Sequence, residues 1–131
     1  MKWYPDRGVP IVNSSAYSGY MTKEMRDPTF AILSALVPEP LHGYAIIAEA
    51  DELSDGTVRL QPGTLYAALD RLRTEGLVSV NREEVVQGRL RRYFALTDSG
   101  LKALQTETQR RQAATARTIA RLHAAGAGTF A

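Results

Sequence analysis

The stretch that most constrains this 131-residue chain is QPGTLYAALDRLRTEGL, residues 61–77, followed at once by two segments separated by Gln87-Gly88. Pro62 has a backbone angle suited to the first helical turn, and Gly76 supplies the residue type that ends one. The spacing predicts a helix of about four turns in which Leu65, Ala68, Leu69 and Leu72 share one stripe. Such a stripe packs on other elements, which leaves Thr64, Tyr66, Ala67, Asp70, Arg71, Arg73 and Thr74 on the opposite and flanking faces. Leu77 to Val86 and Arg89 to Leu96 are predicted as two strands, and Gln87-Gly88 as the tight turn between them.

Upstream, Asp27 reads as a helix N-cap and Pro28 as the first helical residue. Phe30, Leu33, Ala35, Leu36 and Val37 then make a mostly buried short helix, stopped by Pro38 and Pro40. Leu41-His42-Gly43 leads into a second helix, Tyr44 to about Glu52, with Ile46, Ile47 and Ala50 inside. Ser54-Asp55-Gly56 is a turn, and the alternation in Thr57-Val58-Arg59-Leu60 predicts a very short strand. Thr97 or Asp98 caps a final helix with Leu101, Leu104, Ile119 and Leu122 at helical spacing. Thr108, Gln112 and Thr115 lie on nearly the same stripe.

The expected fold is mainly α with a small β-hairpin wing: a winged helix-turn-helix domain over 26–97 and a C-terminal dimerisation helix over 98–125. Residues 1–25 read as an N-terminal arm, loosely ordered or docked through Trp3, Tyr4, Tyr17 and Tyr20, and 126–131 as a disordered tail. Met21 and Met25 are alternative starts for the chain.

Composition narrows the chemistry. The chain has no cysteine, so disulfides, thiolate nucleophiles and cysteine-held metals are excluded. No apolar run approaches the roughly 20 residues of a membrane span; the longest near-candidate is FAILSALV. The start, MKWYPDRGVPIV, lacks the pattern of a secretory signal, and the expected location is the cytoplasm. Only His42 and His123 could act as imidazole bases, and they have no metal-ligand spacing. With no phosphate loop or nucleophile elbow, no catalytic residue, metal or cofactor is expected.

Charge is unevenly distributed. Glu39, Glu49, Asp51, Glu52 and Asp55 fall in a stretch without Lys or Arg, whereas Arg59, Arg71, Arg73, Arg82, Arg89, Arg91 and Arg92 follow. A localised basic surface attracts the phosphate backbone. A single helix fits a major groove about 12 Å wide. The residues expected against double-stranded operator DNA are Pro62, Gly63, Thr64, Tyr66, Ala67, Asp70 and Arg71, with Arg89 and Arg91 from the wing. Pro62-Gly63 offers free N–H groups to a phosphate, and small Ala67 permits close approach. Other readings stay open: Tyr66 as a half-exposed packing aromatic, and Arg71 and Arg73 as partners of Asp70 and Glu75. A winged helix used for protein contact is the rival function.

The last helix is expected to pair two copies through Leu101, Leu104, Thr108, Thr115, Ile119 and Leu122, because a thin apolar stripe needs a partner. The alternative is that it folds back on its own domain. A two-fold dimer implies an inverted-repeat operator with half-sites about 10 base pairs apart.

Three segments, PEPLHGYAII, VRLQPGTLYAALDRLRTEGLV and VVQGRLRRYFALTDSG, together resemble the PadR family of transcriptional regulators from about Arg26 to Leu104. The resemblance implies a winged-helix repressor, dimeric through its C-terminal helix, that sits on an operator near its own gene and is released by a small-molecule effector. By position, LHGY starts the second helix, PGTLYAAL is the recognition helix with Tyr66 toward DNA, and GRLRRYF is the wing. Gln61 departs from the Ser frequent in relatives, the arm before Met21 is extra, and the single C-terminal helix resembles the shorter-tailed branch.

Overall fold

The computed structural model describes residues 24–127. The arm up to Lys23, with its aromatic residues and Met21, and the tail from Gly128 lie outside the described residues. Among the described residues, four helices and three strands follow in the order α1 (Asp27–Ala35), β1 (Leu41–His42), α2 (Gly43–Leu53), α3 (Pro62–Thr74), β2 (Val78–Val86), β3 (Arg89–Leu96) and α4 (Asp98–Ala124). The sheet is antiparallel in the order β1-β3-β2. This is a winged helix.

One core joins all the helices. Ile32 and Leu33 of α1, Ile46 and Ala50 of α2, and Leu65, Leu69 and Leu72 of α3 pack with Phe94 of β3 and Ala103 and Leu104 of α4. The C-terminus of α3 closes by local hydrogen bonds. Leu77 N–H donates to the Leu72 carbonyl at 2.9 Å and Gly76 N–H to that of Arg73 at 3.0 Å, the Schellman arrangement. Leu77 is thereby turned inward and the chain passes directly into β2. At the far end of the hairpin, Gln87 and Gly88 both have positive φ, 52° and 77°, as a type I′ turn requires.

Several expectations need correction. Thr57 to Leu60 form no strand; Leu41 and His42 hold the sheet edge instead, paired with Phe94 and Tyr93. Val58 and Leu60 alternate because both are buried. The backbone there is held by the turn before it, with Val58 N–H donating to Ser54 Oγ at 2.8 Å. Helix α1 begins at Asp27, with Arg26 in the capping position and no side-chain cap, so Asp27 is the first helical residue, not the cap. Its carboxylate accepts from Arg111 instead. The helix also stops at Ala35, short of Val37.

The largest correction concerns α4. Thr97 caps it, accepting from Gly100 N–H at 2.9 Å, and it runs for 27 residues. Leu101 and Leu104 are only 3% and 6% exposed and face their own domain, so they are not available to a second copy. The first turns of α4 thus complete the core. Gly100 permits this approach, because a Cβ there would overlap the Leu77 carbonyl oxygen.

A charged tether that sequence reading missed lies one turn further on. Glu107 is buried and accepts hydrogen bonds from Arg110 and Arg111. Arg111 reaches on to Asp27 Oδ1 and the Met25 carbonyl, both at 3.0 Å, with its guanidinium over the Phe30 ring at 4.0 Å. The hydrogen bond from Arg110 is the main cause that holds the Glu107 carboxyl below its ordinary value; burial opposes it, and the Arg111 hydrogen bond and both arginine charges reinforce it.

Because its pKa is lowered on folding, ionised Glu107 contributes stability that is present above the ordinary carboxylate range and lost as pH falls through the depressed value. Glu107→Gln is expected to lower the melting temperature at pH 7 relative to wild type, with the gap closing as acid is added; parallel pH–stability curves would contradict this. Gly100→Ala is expected to destabilise by about 1–3 kcal/mol in denaturant titrations, despite alanine's better helix propensity, because the backbone of Leu77 must move.

Candidate nucleic-acid interface

Burial of Leu65, Leu69 and Leu72 sets the rotation of α3. With those three inside, Pro62, Gly63, Thr64, Ala67 and Asp70 are exposed on the outer side, and no described atom approaches the Cβ position of Gly63 within 4 Å. No side chain caps the start of α3, where Gln61 stands, so its first N–H groups lack a side-chain acceptor. Asp70 projects into solvent with Arg73 at 4.0 Å, too long and too exposed to hold either side chain firmly.

Tyr66 and Arg71 sit differently from a simple outward reading. Tyr66 is 46% exposed, yet its ring leans on Phe94 at 6.4 Å and its hydroxyl lies over Gly43 at the start of α2. It joins α3 to α2 and the sheet while showing one edge to solvent. Arg71 donates to Thr29 Oγ1 at 2.9 Å and pairs with Glu75 at 3.6 Å, so it braces α3 against α1. The half-buried and paired alternatives weighed for these two residues describe their geometry.

The hairpin sorts its charges. Arg92 donates to Glu83 at 2.9 Å and the Tyr93 hydroxyl to Glu84 at 2.8 Å. Arg82 stacks over the Tyr93 ring at 3.8 Å, and His42 meets the same ring edge-on. Burial, then the nearby Arg91 charge, hold the His42 imidazole below its ordinary pKa, with the Glu84 charge opposing them. Arg89 and Arg91 have no ion pair among the described residues. With Arg82 they outnumber Glu84 and leave the hairpin net positive.

Tyr44 was missed as a surface feature. It is highly exposed at the start of α2, next to Gly43. Its displacement from the Ile46–Ala50 stripe was a usable signal, since two residues along a helix is more than half a turn.

The six residues expected to pair two copies are separated by the structure. Leu101 and Leu104 are internal, as described. Thr108 and Thr115 are exposed, with the Thr108 hydroxyl donating to the Leu104 carbonyl. Ile119 is half-buried and Leu122 lies at the outer end of α4, partly exposed. No described helix is long and apolar enough to cross a membrane.

A winged helix whose third helix is left exposed by the described residues, beside a basic hairpin, is an architecture that transcription regulators use. The sequence matches the profile of the Transcriptional regulator PadR-like family over residues 32–106, and the chain belongs to that family. It is 44% identical over 100 residues to the transcriptional regulator Rv3488 of Mycobacterium tuberculosis, covering 75% of this chain and 89% of that protein. It is 42% identical over 81 residues to an uncharacterised 37.1 kDa protein in transposon TN4556 of Streptomyces fradiae, covering 62% of this chain but only 22% of that protein. Among solved structures it is similar to Bacillus subtilis PadR in complex with operator DNA, with a TM-score of 0.57 and 26% identity over 63% of this chain and 48% of that one.

Tyr66→Ala is expected to destabilise the fold by about 1–2 kcal/mol, less than a fully buried aromatic would, because half the ring is already wet. Tyr66→Phe keeps the contact with Phe94 and is expected to stay within about 0.5 kcal/mol of wild type. Equal losses in the two variants, measured by urea denaturation, would show that the hydroxyl and not the ring holds α3.

Proposed function

We propose that this chain is a cytoplasmic, sequence-specific DNA-binding regulator that acts as a homodimer on an inverted-repeat operator. The observation that carries the reading is the exposed outer face of α3, Pro62, Gly63, Thr64, Ala67 and Asp70, alongside two wing arginines without ion pairs among the described residues. Helix α3 enters the major groove with Thr64, Ala67 and Asp70 toward base edges and one edge of Tyr66 beside them. The N–H groups around Pro62 and Gly63 seat a phosphate, and Arg89 and Arg91 follow the adjacent backbone. Arg71, held by Thr29 and Glu75, positions α3 and does not itself read DNA. The likeness to a PadR in complex with operator DNA supports DNA as the partner.

The outer half of α4 pairs the two copies through Thr108, Thr115, Ile119 and Leu122. A 27-residue helix is about 40 Å long, and only its first turns contribute to the domain core. The family resemblance extends the reading to repression near the chain's own gene, relieved by a small-molecule effector of unidentified chemistry. The rival reading, a winged helix for protein contact, gives no role to the unpaired wing arginines.

Footprinting on DNA upstream of the chain's own gene is expected to protect two half-sites about one helical turn, roughly 10 base pairs, apart. Arg89→Ala is expected to weaken binding on all sequences alike and to reduce the log–log salt slope by about 1. A wild-type affinity indifferent to salt would defeat the DNA reading.

A further inference from the structure

The hairpin tip carries two side chains that neither the core nor the charge pattern explains. Val85 and Leu90 stand directly opposite each other in register and are 71% and 59% exposed. The turn beyond them is a rigid two-residue one, so the pair is held in place. Side chains alternate along β3, which puts Leu90, Arg92 and Phe94 on one face and Arg89 and Arg91 on the other. Phe94 lies against Tyr66 of α3. Val85 and Leu90 therefore look out on the side of the sheet that α3 packs against, about 13 Å farther along the strand than Phe94.

An exposed valine–leucine pair gains nothing from water, and covering it contributes about 25 cal/mol per Å² of apolar area. The charge around it selects the covering surface. Beside the pair, Glu83 and Arg92 cancel each other, whereas on the opposite face Arg82, Arg89 and Arg91 outnumber Glu84, so the tip is aliphatic on one face and net cationic on the other. The minor groove of duplex DNA matches both faces, with phosphate rims for the arginines and deoxyribose walls for the aliphatic chains.

We propose that Val85 and Leu90 form an apolar minor-groove reader at the wing tip, adding a preference for A·T base pairs flanking each half-site. The proposal rests on the DNA-binding reading given above. Neither side chain can donate or accept a hydrogen bond, so the pair senses groove width and the absence of the guanine amino group from the groove floor. Selectivity at the flanks then comes from shape, while the arginines supply affinity irrespective of sequence.

The test uses the full chain and the footprinted operator with flanking pairs changed to A·T, G·C or inosine·cytosine. Inosine·cytosine lacks the minor-groove amino group but keeps the major-groove pattern of G·C, so it separates the two grooves. Wild type is expected to bind A·T and inosine·cytosine flanks alike, and about tenfold more tightly than G·C flanks. The double variant Val85→Thr, Leu90→Thr keeps strand-compatible residues at exposed positions. It is expected to lose the flank preference with an unchanged salt slope and melting temperature. Binding without flank preference in wild type, or a preference that survives in the variant, overturns the wing assignment alone. A shift in oligomeric state of the variant by sedimentation also overturns it, since the pair would then be a protein contact. No binding to any duplex overturns this proposal together with the DNA-binding reading.

Discussion

The burial of three leucines on one side of α3 governs the rest of the molecule. Leu65, Leu69 and Leu72 are inaccessible to solvent and belong to one cluster with Ile32, Ile46 and Phe94. Burying each leucine contributes about 1.5–3 kcal/mol, whereas the exposed ion pairs on the same helix contribute about 0–1 kcal/mol each. Any rotation of α3 that turned Arg71 or Asp70 inward would lose more than those pairs return. The outward face is therefore set by what must be hidden, and the surface available to DNA is the remainder.

The same constraint extends into the hairpin. Leu77, turned inward by the closing hydrogen bonds of α3, starts β2 in a position that sets which face of the sheet meets the core. Alternation carries that choice outward along both strands, through an irregularity at Val80 and Arg82, to the tip. Along the way Arg92 pairs with Glu83, and Glu84 keeps its charge while accepting from the Tyr93 hydroxyl, so the hairpin arginines still outnumber its acids. What reaches the tip is positive charge on one face and aliphatic surface on the other.

Helix α4 has two parts with different partners. Its first turns fill the core with Ala103 and Leu104, and Glu107 marks where that packing ends. Through Arg111 the same carboxylate holds the approach to α1 at Met25 and Asp27. Helix α1 is in turn braced to α3 through Thr29 and Arg71. The outer half, with Thr115, Ile119 and Leu122, carries the surface proposed for a second copy.

The amino-acid sequence alone determined the local events: where α3 begins and ends, the Gln87-Gly88 turn, a cap at Thr97 or Asp98, and the leucine stripe. Each depends on backbone chemistry or spacing within a few residues, as at Pro62, Gly76 and Gly88; the structure gives the cap to Thr97. The family resemblance was legible for the same reason, since its segments are contiguous. Only the tertiary structure decided that Leu101 and Leu104 face inward, that Leu41-His42 and not Thr57–Leu60 joins the sheet, and that Tyr66 leans on Phe94. Arg71 meets Thr29 across 42 residues, and Arg111 meets Met25 across 86. Periodicity shows that a stripe is apolar but not which body covers it, because that depends on how distant segments are brought together.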